Sequence, residues 1–142
     1  MCTAEYALSK LRPGQRAALE RMHDGCVLLA RPGAGKTITA LAYWRQAHPK
    51  QRLVVITTPV KRDSLEWEGD AAKLGIVLSE EGEVESWNNI AKYRKYEGCF
   101  FVFDEQKASG NGKWARAFVT IAKKNQYRSE ERRVGKECRS RW

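Results

Sequence analysis

Two short stretches carry residue types suited to phosphate chemistry. In ARPGAGKT, Gly33, Ala34, Gly35, Lys36 and Thr37 stand between an apolar run and a helix-like segment. N–H groups at a helix N-terminus lack intrahelical partners and sit at the positive end of the helix dipole, so they attract anions. Glycine at 33 and 35 permits the positive φ or close backbone approach that a phosphate cradle needs. Pro32 has no N–H, so the donors begin at Gly33. Lys36 would neutralise the β- and γ-phosphates, and the Thr37 hydroxyl would bind Mg²⁺. The second stretch, CFFVFDEQK, puts Asp104 and Glu105 at the end of an apolar run. One acid there can hold Mg²⁺ through water, and its neighbour can take a proton from an attacking water. Each stretch has a plainer reading, a chance match or a strand ending in surface charges. Their occurrence together favours nucleotide binding, with Lys36, Asp104 and Glu105 as catalytic residues and Thr37 and Asp104 as Mg²⁺ ligands.

The first position of the phosphate motif is Ala30, where the general pattern has glycine. A left-handed backbone there would cost alanine roughly 1–2 kcal/mol. An alanine that merely ends a strand costs nothing, and the preceding Val27, Leu28 and Leu29 favour that case.

The elements that must position these residues alternate. Cys26–Ala30, Leu53–Thr57 and Cys99–Phe103 are continuous apolar runs of the kind found in parallel strands buried on both faces. Leu11–His23, Lys36–Ala47, Ser64–Leu74 and Lys113–Lys124 read as helices, and Val84–Tyr96 as a short strand and a helix. Such alternation predicts an α/β three-layer domain around a mostly parallel sheet.

The chain has 142 residues, enough for one domain, and its 42% hydrophobic and 30% charged residues suit a globular protein. No apolar run approaches the ~20 residues of a membrane span, and MCTAEYALSK lacks the order of a signal peptide. Cys2, Cys26, Cys99 and Cys138 form no C-x-x-C pair, and Cys26 and Cys99 read as buried thiols. A cytoplasmic setting, bacterial or that of a phage-infected host, is expected. The net charge of +9 favours an anionic partner, nucleic acid first. Part of that charge lies in RSEERRVGKECRSRW, residues 128–142, where six basic residues face three acids without helical or strand periodicity. This stretch resembles a translated sequencing adapter, so the expected division is a partial nucleotide-binding domain over 1–127 and a non-native tail over 128–142.

Four blocks together resemble the superfamily 2 DEAD/DEAH-like helicases and translocases, the Swi/Snf-related, phage-type proteins in particular. LRPGQRAALERM looks like the glutamine motif upstream of the phosphate loop, with Gln15 in the adenine-recognising place. ARPGAGKT fits the family form A-x-x-G-x-G-K-T, in which alanine leads. VVITTPVKRDSLEWEGDAAKLGI looks like the next block, where Thr58, Pro59, Lys61 and Arg62 would follow the nucleic-acid backbone. FVFDEQK takes the Walker B place, although Gln106 and Lys107 depart from the usual A-D or A-H. VESWNNIAKY, around Trp87, resembles a short segment before that strand.

The resemblance implies the ATP-binding half of an ATP-dependent DNA or RNA translocase, DNA ranked before RNA, with ATP and Mg²⁺ as cofactors. It implies a P-loop NTPase, RecA-like fold that is incomplete, because the family's strand after Walker B lies between the Walker A and Walker B strands. It also implies a second RecA-like domain in cis, so the chain alone is expected to be inactive. Two alternatives stay open: a fragment that binds nucleotide or nucleic acid without hydrolysis, and a P-loop kinase or transferase. Gln15 and the water-activating place of Glu105 count against the last.

Overall fold

Leu53–Thr57 forms a strand whose five residues are all buried, the outcome expected where both faces of a sheet are covered. The computed structural model describes residues 3–28, 35–105, 112–125 and 139–140. In chain order the elements are α1 (Ala4–Ser9), α2 (Pro13–Arg21), β1 (Val27–Leu28), α3 (Lys36–Ala47), β2 (Leu53–Thr57), α4 (Pro59–Asp63), α5 (Glu66–Lys73), α6 (Leu78–Glu81), β3 (Gly82–Ser86), a 3-10 helix (Trp87–Lys95), β4 (Phe100–Phe103), α7 (Lys113–Lys124) and β5 (Arg139–Ser140). The fold is mixed α/β. β2 lies between β3 and β4, parallel to both, with Val55 opposite Val84 on one side and Val102 on the other.

The alternation of β2 side chains divides the core in two. Leu53 and Val55 pack with Leu41, Trp44, Trp67 and Leu74 from α3, α5 and the turn after α5. Val54 and Ile56 pack with Trp87, Ile90, Tyr93 and Ile121 from the 3-10 helix and α7. Helices thus cover both faces of the sheet. Each fully buried large apolar side chain contributes roughly 1.5–3 kcal/mol, so these two clusters dominate the stability. Trp44, Trp67 and Trp87 are all buried. They are therefore core residues. Trp114 is partly buried against the second cluster. Gly82 is needed where β3 starts, because a Cβ there would collide with the Leu53 carbonyl.

Several boundaries differ from expectation. The helix read over Ser64–Leu74 is α5, which begins only at Glu66 because Leu65 takes a left-handed conformation at φ 58°, and a separate short helix, α4, precedes it and ends at Asp63. Cys26 and Cys99 are only half-buried, because both flank their strands. The tail, read as lacking strand periodicity, contributes β5, which pairs in parallel with β1. A two-residue strand is too short to leave a periodic pattern in the sequence. Among the described residues β1 and β4 belong to separate sheets. No helix among them is long and apolar enough to cross a membrane.

Candidate functional site

A cavity of about 420 Å³ separates β1 from β4. Leu28, Lys36 and Thr37 contribute to its wall from one side, and Phe101, Phe103, Asp104 and Glu105 from the other. The structure therefore brings two of the expected phosphate-binding residues, Lys36 and Thr37, and the expected acidic pair to one opening. Their order in the chain explains why. α3 begins at Lys36 directly after the loop, and Asp104 and Glu105 follow the last residue of β4. The remaining loop positions, Ala30, Arg31, Pro32, Gly33 and Ala34, lie outside the described residues, as do Gln106 and Lys107.

Gly35 caps α3 in the left-handed region, at φ 84° and ψ 37°. Only glycine takes that conformation at no steric cost, and a Cβ there would also meet the Gln15 amide nitrogen. The Gly35 carbonyl accepts from the Thr39 hydroxyl at 3.0 Å and from Gln15 Nε2 at 3.2 Å. Gln15 is buried, and its Oε1 accepts from the Arg12 backbone N–H at 2.8 Å. Its amide thus ties α2 to the start of α3, a link invisible in sequence because twenty residues separate the partners. One amide N–H and one carbonyl lone pair remain beyond these two bonds.

Asp104 is held from several directions. Its N–H donates to the Ile56 carbonyl at 2.8 Å, and its own carbonyl accepts from Trp87 Nε1 at 3.0 Å. Its Oδ2 accepts from the Thr57 hydroxyl at 2.9 Å, Lys61 Nζ at 3.3 Å and Trp67 Nε1 at 3.4 Å. Glu105, next in the chain, has φ 50°. A non-glycine residue there carries strain of about 1–2 kcal/mol, and such strain gathers at functional sites. Its Oε1 lies 2.9 Å from the same Lys61 Nζ. Burial alone would pull the Lys61 ammonium down, but the bond to Glu105 and the charge of Asp104 outweigh it and hold its pKa above the ordinary value.

The expected nucleic-acid contacts are placed unevenly. The Thr58 hydroxyl accepts from the Lys61 N–H and caps α4, and Pro59 starts that helix, where its missing N–H costs nothing. Lys61 faces the acids rather than open solvent. Arg62 is engaged by Asp63 at 2.9 Å, by Glu85 at 2.5 Å and by the Ser86 hydroxyl at 3.3 Å. Both cations are therefore ion-paired in this structure.

Two clusters escaped the sequence reading. Glu85 accepts from the Ser86 N–H, Arg62, Asn89 and Lys92. Burial alone would raise this carboxyl, but those four donors outweigh it and hold its pKa at about 2. Asp24 accepts from the Tyr43 hydroxyl at 2.8 Å and lies 2.8 Å from His48 Nε2 at the cavity's edge. Each cluster also joins residues far apart in the chain, Glu85 with Arg62 and Asp24 with Tyr43 and His48, and nothing local in the sequence signals those pairings.

No group of three or more His, Cys, Asp or Glu side chains able to hold a metal occurs among the described residues. A hydroxyl from Thr37 and a carboxylate from Asp104 are nevertheless the hard oxygen donors that Mg²⁺ takes alongside water and substrate phosphates. No protein-family model, no curated protein and no solved structure matches the chain.

Proposed function

We infer that the chain is the ATP-binding half of a nucleic-acid-dependent ATPase of the helicase or translocase kind. One observation carries this reading: Lys36 and Thr37, at the start of α3, share a cavity wall with Asp104 and Glu105, at the end of β4. A nucleoside triphosphate needs N–H donors and a cation for its phosphates, an acid for its metal and an acid for the attacking water. The Lys36 ammonium would sit on the β- and γ-phosphates beside the first N–H groups of α3. Thr37 and Asp104 would hold Mg²⁺, which neutralises charge on the phosphate oxygens. Glu105 would accept the proton of the attacking water. Gln15 would hold the Gly35 carbonyl in place and use its remaining amide valences for adenine. Nucleic acid, a second RecA-like domain in cis and a cytoplasmic setting belong to the same proposal.

A second reading, a fragment that binds nucleotide without turnover, is favoured by one specific contact. Glu105 Oε1 is paired to Lys61 Nζ at 2.9 Å, so an ammonium occupies the oxygen that would take the proton of the attacking water. Both readings require nucleotide binding. Titration of a fluorescent ATP analogue with Mg²⁺ should saturate on the 142-residue chain and be lost in Lys36→Ala. Equal binding by the two proteins would remove the phosphate-loop assignment. Hydrolysis stimulated by nucleic acid would then separate the first reading from the second.

A further inference from the structure

We propose that Lys61 is a tethered cation that fills the Asp104–Glu105 pair until a divalent metal displaces it, and that the released ammonium becomes a phosphodiester contact at the cavity rim. The proposal rests on the reading that this acidic pair serves a Mg²⁺ ion. Lys61 Nζ bridges the two residues, 2.9 Å from Glu105 Oε1 and 3.3 Å from Asp104 Oδ2. Two carboxylates face one ammonium, so a negative charge remains uncompensated among the described residues. A divalent ion at the same place balances both.

The two partners are not equally fixed. Asp104 keeps the Thr57 hydroxyl and the Trp67 N–H on Oδ2, and both of its backbone polar groups are bonded. It stays in position when the lysine leaves. Lys61 is anchored through its backbone, whose N–H donates to the Thr58 hydroxyl. Its side chain has a flexible four-carbon stem and a quarter of its surface in solvent, so the head can swing without moving α4. Arg62, the other cation of α4, is already engaged by Asp63, Glu85 and Ser86. Metal arrival therefore frees one positive charge on this helix, in a chain whose net charge of +9 suits a polyanion. Metal and phosphodiester would favour each other's binding, and the coupling must be reciprocal.

The test uses the 142-residue chain with Mn²⁺ alone. Amine acylation read by mass spectrometry should show Lys61 becoming more reactive as Mn²⁺ is added. Lys73, paired with Asp70 on an exposed helix face, serves as the unchanged reference. Lys61→Met should bind Mn²⁺ roughly two- to fivefold tighter by electron paramagnetic resonance, the range expected when a competing partly exposed ion pair is removed. Lys61→Arg, which keeps the cation, should stay at the wild-type affinity. A labelled single-stranded oligonucleotide should bind more tightly with Mn²⁺ to the wild type and lose that gain in Lys61→Met. Unchanged Lys61 labelling at saturating Mn²⁺, or equal or weaker Mn²⁺ binding by Lys61→Met, overturns the proposal. So does a metal-dependent oligonucleotide gain that survives in Lys61→Met. Absence of Mn²⁺ binding in both proteins also overturns it, whereas Lys36-dependent nucleotide binding would leave the broader functional reading standing.

Discussion

Glu85 and the Asp104–Glu105 pair lie near the C-terminal ends of the two strands that flank β2, Glu85 being level with Phe103, the residue before Asp104. Their charge balance is opposite. Glu85 is one carboxylate with two cations, Arg62 and Lys92, and two neutral donors. Asp104 and Glu105 are two carboxylates sharing one cation, Lys61. Saturated acids of the first kind fix the positions of neighbouring elements. Acids left short of positive charge are poised to receive it. The comparison separates a structural hub from a site more cleanly than burial does, since both carboxylates are largely shielded, at 14% and 13% side-chain exposure for Glu85 and Asp104.

The sharpest way to break the comparison is to neutralise one acid from each side. In a protein joining this chain to a second RecA-like domain, Glu105→Gln should lower nucleic-acid-stimulated ATP hydrolysis roughly 10²–10⁴-fold, the usual contribution of a general base. Glu85→Gln should leave the rate per folded molecule unchanged and act on stability instead. Steady-state phosphate release measures both. An active Glu105→Gln protein would remove the general-base role, and a dead but folded Glu85→Gln protein would erase the distinction.

How the two regions could be read from sequence follows the same division. β2 and α3 were legible to the residue, because a continuous Leu53–Thr57 run and apolar Ile38, Leu41 and Ala42 at helical spacing are local signals. Lys36, Thr37, Asp104 and Glu105 were legible as types at element ends, and the structure places them on one cavity. The break at Leu65 was not legible, since a left-handed leucine has no compositional mark. α1 was missed because six residues are too few for periodicity, although Thr3 caps it by accepting from the Tyr6 N–H. The pairing of Lys61 with the acids and of Arg62 with Glu85 joins residues far apart in the chain. Sequence shows such cations as surface charges. Only the packing of α4 against β3 reveals which acids they meet.

A smaller effect tests the hub through pH. In the unfolded chain the Glu85 carboxyl titrates near its ordinary 4.5, whereas in the fold it does so at about 2. Between those values the unfolded state binds the proton and the folded state does not. The stabilisation is therefore complete above pH 4.5 and is lost as pH falls through about 2. Thermal melts at pH 5 and pH 3 should show the wild type losing more on acidification than Glu85→Gln. Parallel losses would mean that the four donors contribute nothing specific to the ionised form.

The smallest effect separates the two cations of α4. Arg62 is held by two acids and a hydroxyl, and it acts as part of the hub. Lys61 is held by an under-neutralised pair that a metal can claim. Each phosphate neutralised on a single strand adds ~0.7 to the slope of log affinity against log salt. With Mg²⁺ and nucleotide present, Lys61→Ala should lower that slope by about this amount. Arg62→Ala should leave it unchanged. Fluorescence anisotropy across a salt series measures both, and the informative quantity is the slope rather than the affinity at one salt concentration. A loss of slope in Arg62→Ala equal to that in Lys61→Ala would show that nucleic acid draws Arg62 away from Glu85. Glu85 would then be a gate for the partner, and the line between hub and site would move from the strands to the helix between them.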